Sequence, residues 1–492
     1  MNEKRSGLEQ LLSNLSRDQL QSVLLKLSEH EPSLITVIEG QVALFGPTTS
    51  LHHPPIDPKA VRRQVRSAIR SLDRMSSSEA YWQISAVVGS IQHIIDQAWE
   101  LINADHGRDA LIVLEAVTEE YLNEWENLDD SDGEASGFFT DLGPTWAEAL
   151  LSVDLSRQER KAWAKRLTDW QEDLDDYGVD DAFAVAAAAA LDGWDTPPLK
   201  RVLEGTITEQ GAWKGEPPLY ADELTEARLH ILERRERFQE YLYLAEAEGH
   251  TEEYVTMLVR LNRGQEAFDY GLQYLGTTQE ALALANALVE HGEREHSLTI
   301  AEHGLSLEGQ KAPLAKWLRE QAGKMGKPDL ALRAAEIAYQ EEISLENYLR
   351  AAAIAGEQWT DRRTVLLDYT RSKKSFSQQG QVEVFLYEGL LEDAIASLEP
   401  YASHTLVEQV VDAALQSQSH FEWVIQASRK QAEPIIEGGK AEYYYSAAKW
   451  LAKARTAYQA LGCKEEWKSY LSDLLSRHGR KYKLVPMLKA LL

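Results

Sequence analysis

Arg62, Arg66, Arg70 and Arg74 recur at steps of four, with Arg63 alongside, so a helix carrying them presents one row of guanidinium groups. A guanidinium fork meets a carboxylate or phosphate through paired hydrogen bonds, so such a row is suited to holding oxyanions. Val61, Val65, Ala68, Ile69 and Leu72 form the opposing apolar stripe. Three readings of the row stand at this level: it faces the chain's own acidic stretch at 115–134, it is a solvated face, or it grips phosphates or an acidic partner. A second basic group lies near the end of the sequence, where Arg477, Arg480, Lys481 and Lys483 surround Tyr482, with His478 among them. Basic side chains interleaved with an aromatic can track a nucleic-acid backbone. The same composition also suits the polar cap of a helical array, or a docking site for a partner protein.

Other residues with chemical potential are weaker. Glu293 and His296 are spaced i, i+3, near His291 and His303, but a carboxylate–histidine metal site usually needs a second such pair. His52 and His53 sit in a proline-rich stretch. The acidic stretch 173–184 places Gly178 sixth, as a calcium loop would, yet Tyr177 and Ala184 stand where oxygen ligands are required. Cys463 is the only cysteine, so neither an internal disulfide nor a cysteine-rich zinc site can form, and a small packed side chain is expected there. No phosphate-cradling, dinucleotide-binding, nucleophile-elbow or zinc-protease motif occurs. Neither enzyme activity, a cofactor nor a metal is expected.

The formal net charge of −28 over 492 residues argues against a general duplex-binding protein. That charge is uneven. Residues 109–156 hold thirteen acids and no Lys or Arg, whereas 440–492 hold eleven Lys or Arg against four acids. Hydrophobic residues are 44% and charged residues 26%, a globular balance. The opening residues show no long apolar run, and the longest such run, AVAAAAAL at 184–191, is far too short to span a membrane. An acidic cytoplasmic protein is expected.

The elements that must position these residues read as helices. Ser16-Arg17-Asp18-Gln19 is a capping box, and a second short helix starts at Pro32. Asp57-Pro58 forms an N-cap with proline at the first helical position. Helices are expected over 58–75, 78–104 and 107–128, followed by an acidic, glycine-bearing loop at 129–144. Ser156-Arg157-Gln158-Glu159 is another capping box. The Pro/Gly-rich stretch around 191–219 is the longest break, and no segment alternates as a strand would.

Past residue 221 the sequence becomes repetitive. Gly249, Gly292, Gly326, Gly356 and Gly389 fall at intervals of 43, 34, 30 and 33 residues between runs of helix formers. That period, with Ala331, Ala334, Ala335 and Ala338 where paired helices would meet, resembles tetratricopeptide-type repeats. The expected fold is therefore all-α: an N-terminal helical domain at 1–200, a linker at 201–220, and a tetratricopeptide-like α-solenoid at 221–492 ending in the basic cap. Tyr254, Arg260, Tyr270, Trp317, Arg333, Tyr339 and Tyr348 lie on the repeat helices and are the candidate contacts, although core positions are expected among them.

Several long stretches carry a more specific likeness: LSRDQLQSVLLKLSEHEPSL, VRRQVRSAIRSLDRMSSSEAY, the run from WAEALLSVDLSRQERKAW to LDGWDTPPLKRVL, and the ending SYLSDLLSRHGRKYKLVPMLKAL. Together they resemble the helical region that follows the zinc finger in bacterial SWIM zinc-finger proteins. A SWIM finger uses a C-x-C…C-x-H ligand set, which Cys463 alone cannot supply, so zinc does not carry over. The resemblance implies a scaffold or adaptor in a bacterial multi-protein system associated with Swi/Snf-type helicases and ATPases. Its expected partners are proteins, with indirect nucleic-acid association or self-assembly as the rival readings.

Overall fold

The computed structural model describes residues 56–492 apart from 209, 374–377, 400 and 401, with Lys26 alone before them. The expected capping box at 16–19, the helix from Pro32, and His52 and His53 lie outside the described residues. The fold is all-α. Among the described residues there are twenty-five α-helices, no strand, and one isolated parallel bridge between Thr277 and Glu308. The chain divides into two compact units, 1–257 and 258–492.

In the first unit, α1 (Pro58–Arg70) starts as its sequence dictates, with the Asp57 carboxylate accepting from the Lys59 N–H. It buries Val61, Val65 and Ile69 and tightens into a 3₁₀ turn, Ser71–Arg74. The helix expected over 78–104 is two helices, α2 (Ser77–Tyr81) and α3 (Ile84–Asn103), separated at Trp82 and Gln83. Helix α4 (Gly107–Glu124) follows.

The acidic loop expected at 129–144 ends at Gly133, and α5 (Glu134–Ser152) occupies the rest. Asp130 supplies the missing cap, accepting from the N–H groups of Ala135 (2.8 Å) and Ser136 (3.2 Å). Phe138, Phe139 and Leu142 then form a buried stripe whose burial outweighs the helix-breaking tendency of Gly137, Gly143 and Pro144. Next come α6 (Arg157–Asp175), opened by its capping box, then α7 (Ala184–Asp192) and α8 (Pro197–Leu203). Trp146 of α5 anchors the core. Its indole donates to Thr118 Oγ1 (3.0 Å), and its ring meets those of Trp163 and Trp170 at 5.1 and 5.7 Å.

Two expectations about the border are corrected. Residues 201–220 are not a free linker: they begin inside α8, and Glu248 accepts from both the Ala212 N–H and the Trp213 indole at 2.5 Å. The N-terminal unit also continues past residue 200, through α9 (Ala221–Arg234), α10 (Phe238–Glu248) and most of α11 (Thr251–Arg260). Leu224, Ala227 and Ile231 of α9 pack on Ala147 and Leu151 of α5 and Val185 of α7, so the first repeat-like hairpin completes this core.

The second unit runs through α12 (Gly264–Tyr274), α13 (Thr278–Glu290), α14 (Arg294–Gly304), α15 (Lys311–Lys324), α16 (Pro328–Glu341), α17 (Leu345–Ala355) and α18 (Trp359–Ser372). It ends with α19 (Gln378–Tyr387), α20 (Leu391–Ala396), α21 (His404–Gln416), α22 (Phe421–Glu437), α23 (Tyr444–Ala460), α24 (Lys464–His478) and α25 (Leu484–Lys489). Each helix packs chiefly on the next one or two in sequence, the pattern of an α-solenoid. All five glycines singled out by spacing have positive φ, between 50° and 87°, at turns between successive helices. Glu236, Asn262 and Gln418 adopt the same left-handed conformation at other turns without being glycine, so the hairpins outnumber the glycine markers. Ala331, Ala334, Ala335 and Ala338 are all buried, as the close approach of α15 and α16 requires.

Two glycines separate crowding from propensity. A Cβ on Gly143 would stand 2.2 Å from the Ala182 carbonyl oxygen, whereas one on the helical Gly323 would meet nothing within 4 Å. Gly143→Ala is expected to destabilise the protein by about 1–3 kcal/mol. Gly323→Ala is expected to stabilise it by roughly 0.5–1 kcal/mol. Urea unfolding of the two variants beside the parent checks both signs.

Candidate interaction surfaces

The arginine row has an internal partner. Arg62 pairs with Glu119, Arg66 with Glu120 and Glu124, and Arg70 with Glu124, all three acids lying on α4. Arg66 forks onto Glu120 at 2.5 and 3.0 Å, and Arg70 reaches Glu124 at 2.8 Å. Glu120 is only 3% exposed, and a carboxylate at that depth requires a charged partner. The Glu120 hydrogen bond and charge in turn hold the Arg66 guanidinium above its ordinary pKa. Arg63 points elsewhere, 3.9 Å from Asp57. The side chain of Arg74 lies outside what the structure describes.

A residue with no sequence pattern completes this zipper. Arg166 of α6 pairs with Glu115 and Glu119, and its guanidinium sits 5.2 Å from the Trp170 ring and 5.7 Å from that of Trp163. Glu119 therefore lies between Arg62 and Arg166. The only hint in the sequence was the absence of any basic residue within 109–156, which obliges those acids to find cations elsewhere.

A second polar lock was equally hidden. Glu148 of α5, 2% exposed, accepts from Arg234 at 2.8 Å and pairs with His230 Nδ1 at 3.1 Å, both on α9. Arg234 also donates to Ser152 Oγ (2.7 Å). The Glu148 hydrogen bond raises the His230 pKa, with burial opposing it.

The basic cap is partly engaged. Arg477 pairs with Asp473 at 2.8 Å, and Lys481 donates to the Ile436 carbonyl with the Tyr444 ring 6.0 Å away. Burial, with Lys481 and Arg477 close by, lowers the His478 pKa. Arg480 and Lys483 are exposed, as is Tyr482. Of the solenoid candidates, Tyr254, Tyr339 and Tyr348 are core side chains. Tyr339 shares a hydrogen bond with Thr370 at 2.5 Å, and Tyr348 donates to Glu388 at 2.6 Å. Arg333 bridges to Glu302 (2.6 Å), and the Trp317 indole donates to Asn286 (2.6 Å).

Tyr270 lines an open recess on the surface of the second unit. An open groove of about 840 Å³ runs past Arg263, Glu266, Tyr270, Gln273, Tyr274 and His296. The Tyr270 and Tyr274 rings lie 4.5 Å apart, and Tyr274 is half exposed. His296 stacks on Phe268 at 4.3 Å and its Nδ1 lies 2.8 Å from the Glu293 carboxylate, so this part of the sequence cluster makes an aromatic and a hydrogen-bonded contact. Tyr443 and Tyr445 form a further exposed pair that spacing did not single out. Burial and nearby Glu466 raise the pKa of the Cys463 thiol, which disfavours the nucleophilic thiolate. No group of three or more His, Cys, Asp or Glu able to hold a metal occurs among the described residues. Nor is any described helix long and apolar enough to cross a membrane.

Comparison with known proteins assigns no family. No family model and no curated protein matches the chain. A circular tandem repeat protein with novel repeat topology is similar over 88% of this chain and 89% of its own, at 17% identity and a TM-score of 0.19, too low to carry an argument.

Two consequences of these polar contacts are measurable. Glu148→Ala removes the buried carboxylate facing the part-buried Arg234 and is expected to cost about 3 kcal/mol in urea unfolding. The His230 pKa is raised on folding, so its contribution is fully present below its unfolded value of about 6.5 and fades as pH rises through the folded value. Unfolding measured across that window should show the parent's advantage over His230→Gln shrinking as pH increases.

Proposed function

We propose that this chain is a non-catalytic protein-interaction scaffold, an adaptor that presents a helical-repeat surface to other proteins. The observation that carries this reading is the groove along α12, with its tyrosine pair on a stack of helices. Tyrosine supplies large contact area at low conformational cost, and the flanking Arg263, Glu266 and Gln273 offer hydrogen bonds in both senses. The mixed polar and aromatic lining suits an extended polypeptide. The resemblance to the helical region of bacterial SWIM zinc-finger proteins supports an adaptor working beside an ATPase or helicase in the cytoplasm.

The arginine row drops out of the reading, because its guanidinium groups at 62, 66 and 70 are spent on α4. One feature keeps a nucleic-acid-associated role as the second reading: Arg480 and Lys483 flank an exposed Tyr482 within a segment rich in basic residues.

The test is a tagged purification from native lysate, with and without nuclease, comparing the parent with Tyr270→Ala/Tyr274→Ala. A stoichiometric protein partner that survives nuclease and falls roughly tenfold in the variant is the expected result, as for loss of an aromatic hot spot. Recovery of nuclease-sensitive material alone overturns the adaptor reading and favours the basic end. A protein partner retained at full yield by the variant overturns the groove assignment.

A further inference from the structure

Arg228 of α9 is 2% exposed and makes no ion pair among the described residues. One Nη2 hydrogen bond to the Gly193 carbonyl (3.1 Å) is its recorded polar contact, and its Nε has no partner. Its guanidinium carbon lies 5.9 Å from the Trp213 ring. Arg319, 8% exposed, has Glu320 at 3.6 Å, and the part-buried Arg234 has Glu148. Burial lowers the Arg228 pKa to about 10, with Asp192, Glu248 and Tyr220 opposing the fall, so the group remains cationic at neutral pH. A buried cation without a bound counter-charge is costly, and here the structure leaves room for one.

That room is a recess of about 180 Å³ lined by Asp192, Thr196, Ala212, Trp213, Lys214 and Arg228. It holds several waters or one small molecule. Glu248 is already committed to the Ala212 N–H and the Trp213 indole, which leaves Asp192 as the acid of the lining. Arg228 and Lys214 against Asp192 give the lining itself a formal charge of +1, with the Glu248 carboxylate acting on Arg228 from just outside it, so a singly charged anion suits the recess better than a doubly charged one. We propose that this recess is a binding site for the carboxylate group of a small monovalent molecule, with Arg228 at its base, Lys214 at its rim and the Thr196 hydroxyl available as a further donor. The site is independent of the α12 groove and of the adaptor reading.

The experiment is a ligand-observed NMR titration of the full chain with acetate, with inorganic phosphate as the contrasting probe, at constant ionic strength. Saturable acetate binding is expected, weakened roughly tenfold or more in Arg228→Leu by loss of a charge-assisted hydrogen bond. Should Arg228→Leu fail to fold, the exposed Lys214→Ala decides: it is expected to weaken acetate by about threefold, as for loss of a screened rim charge, with an unchanged melting temperature. Absence of saturation by acetate, tighter binding of phosphate, or parental affinity in the folded variants overturns the proposal.

Discussion

A two-helix hairpin exposes an apolar face that it cannot cover by itself, and in the second unit this constraint governs every level of the structure. Each hairpin is covered by the next, so packing partners stay within one or two helices along the chain. Small residues are needed where helices approach, which is why α16 buries four alanines within eight residues. Many reversals use a residue in the left-handed region, as at Asn262, Gly292, Gly326 and Gly389, whereas the α12–α13 and α16–α17 connections do without one. The aromatic residues then divide by face, with Tyr339 and Tyr348 inside and Tyr270 and Tyr274 lining a groove.

The first unit solves a different problem. Its helix α5 carries two glycines and a proline within eight residues, so local propensity opposes it. Tertiary contacts override propensity here: Phe138, Phe139, Leu142 and Trp146 are all buried, and Asp130 caps the start from outside the helix. Around this core, acids on α4 and α5 are met by arginines from α1, α6 and α9. Five of the thirteen acids in a segment without a single basic residue thereby gain an arginine partner from neighbouring helices.

These two solutions explain what could be read from the sequence. Helix starts at Pro58 and Arg157 were legible because caps are local, carried by Asp57 and by the Ser156/Glu159 pair. The glycine turns were legible because φ > 0 selects glycine strongly. Turns at Glu236, Asn262 and Gln418 were not, since there the hairpin context imposes the conformation on residues that do not advertise it. Helix α5 was missed for the converse reason, as its breakers are visible and its burial is not. In the candidate surfaces, the arginine row was legible as a pattern, and its acidic partner was one of the open readings. Arg166, the Glu148 lock and Arg228 are long-range meetings of single residues, and nothing periodic marks them.

The zipper between α1 and α4 has a property that neither helix has alone. Pairing partners rise together along the two helices, 62 with 119, 66 with 120 and 70 with 124, so the helices run parallel. Both charged rows repeat about once per turn, and sliding one helix by ~5.4 Å would let most of the ions pair again. Charge alone is thus a ruler with repeating marks, unable to tell one notch from the next. Val61, Val65 and Ile69 are buried in the core at the observed setting, and the ions act as a latch on that position.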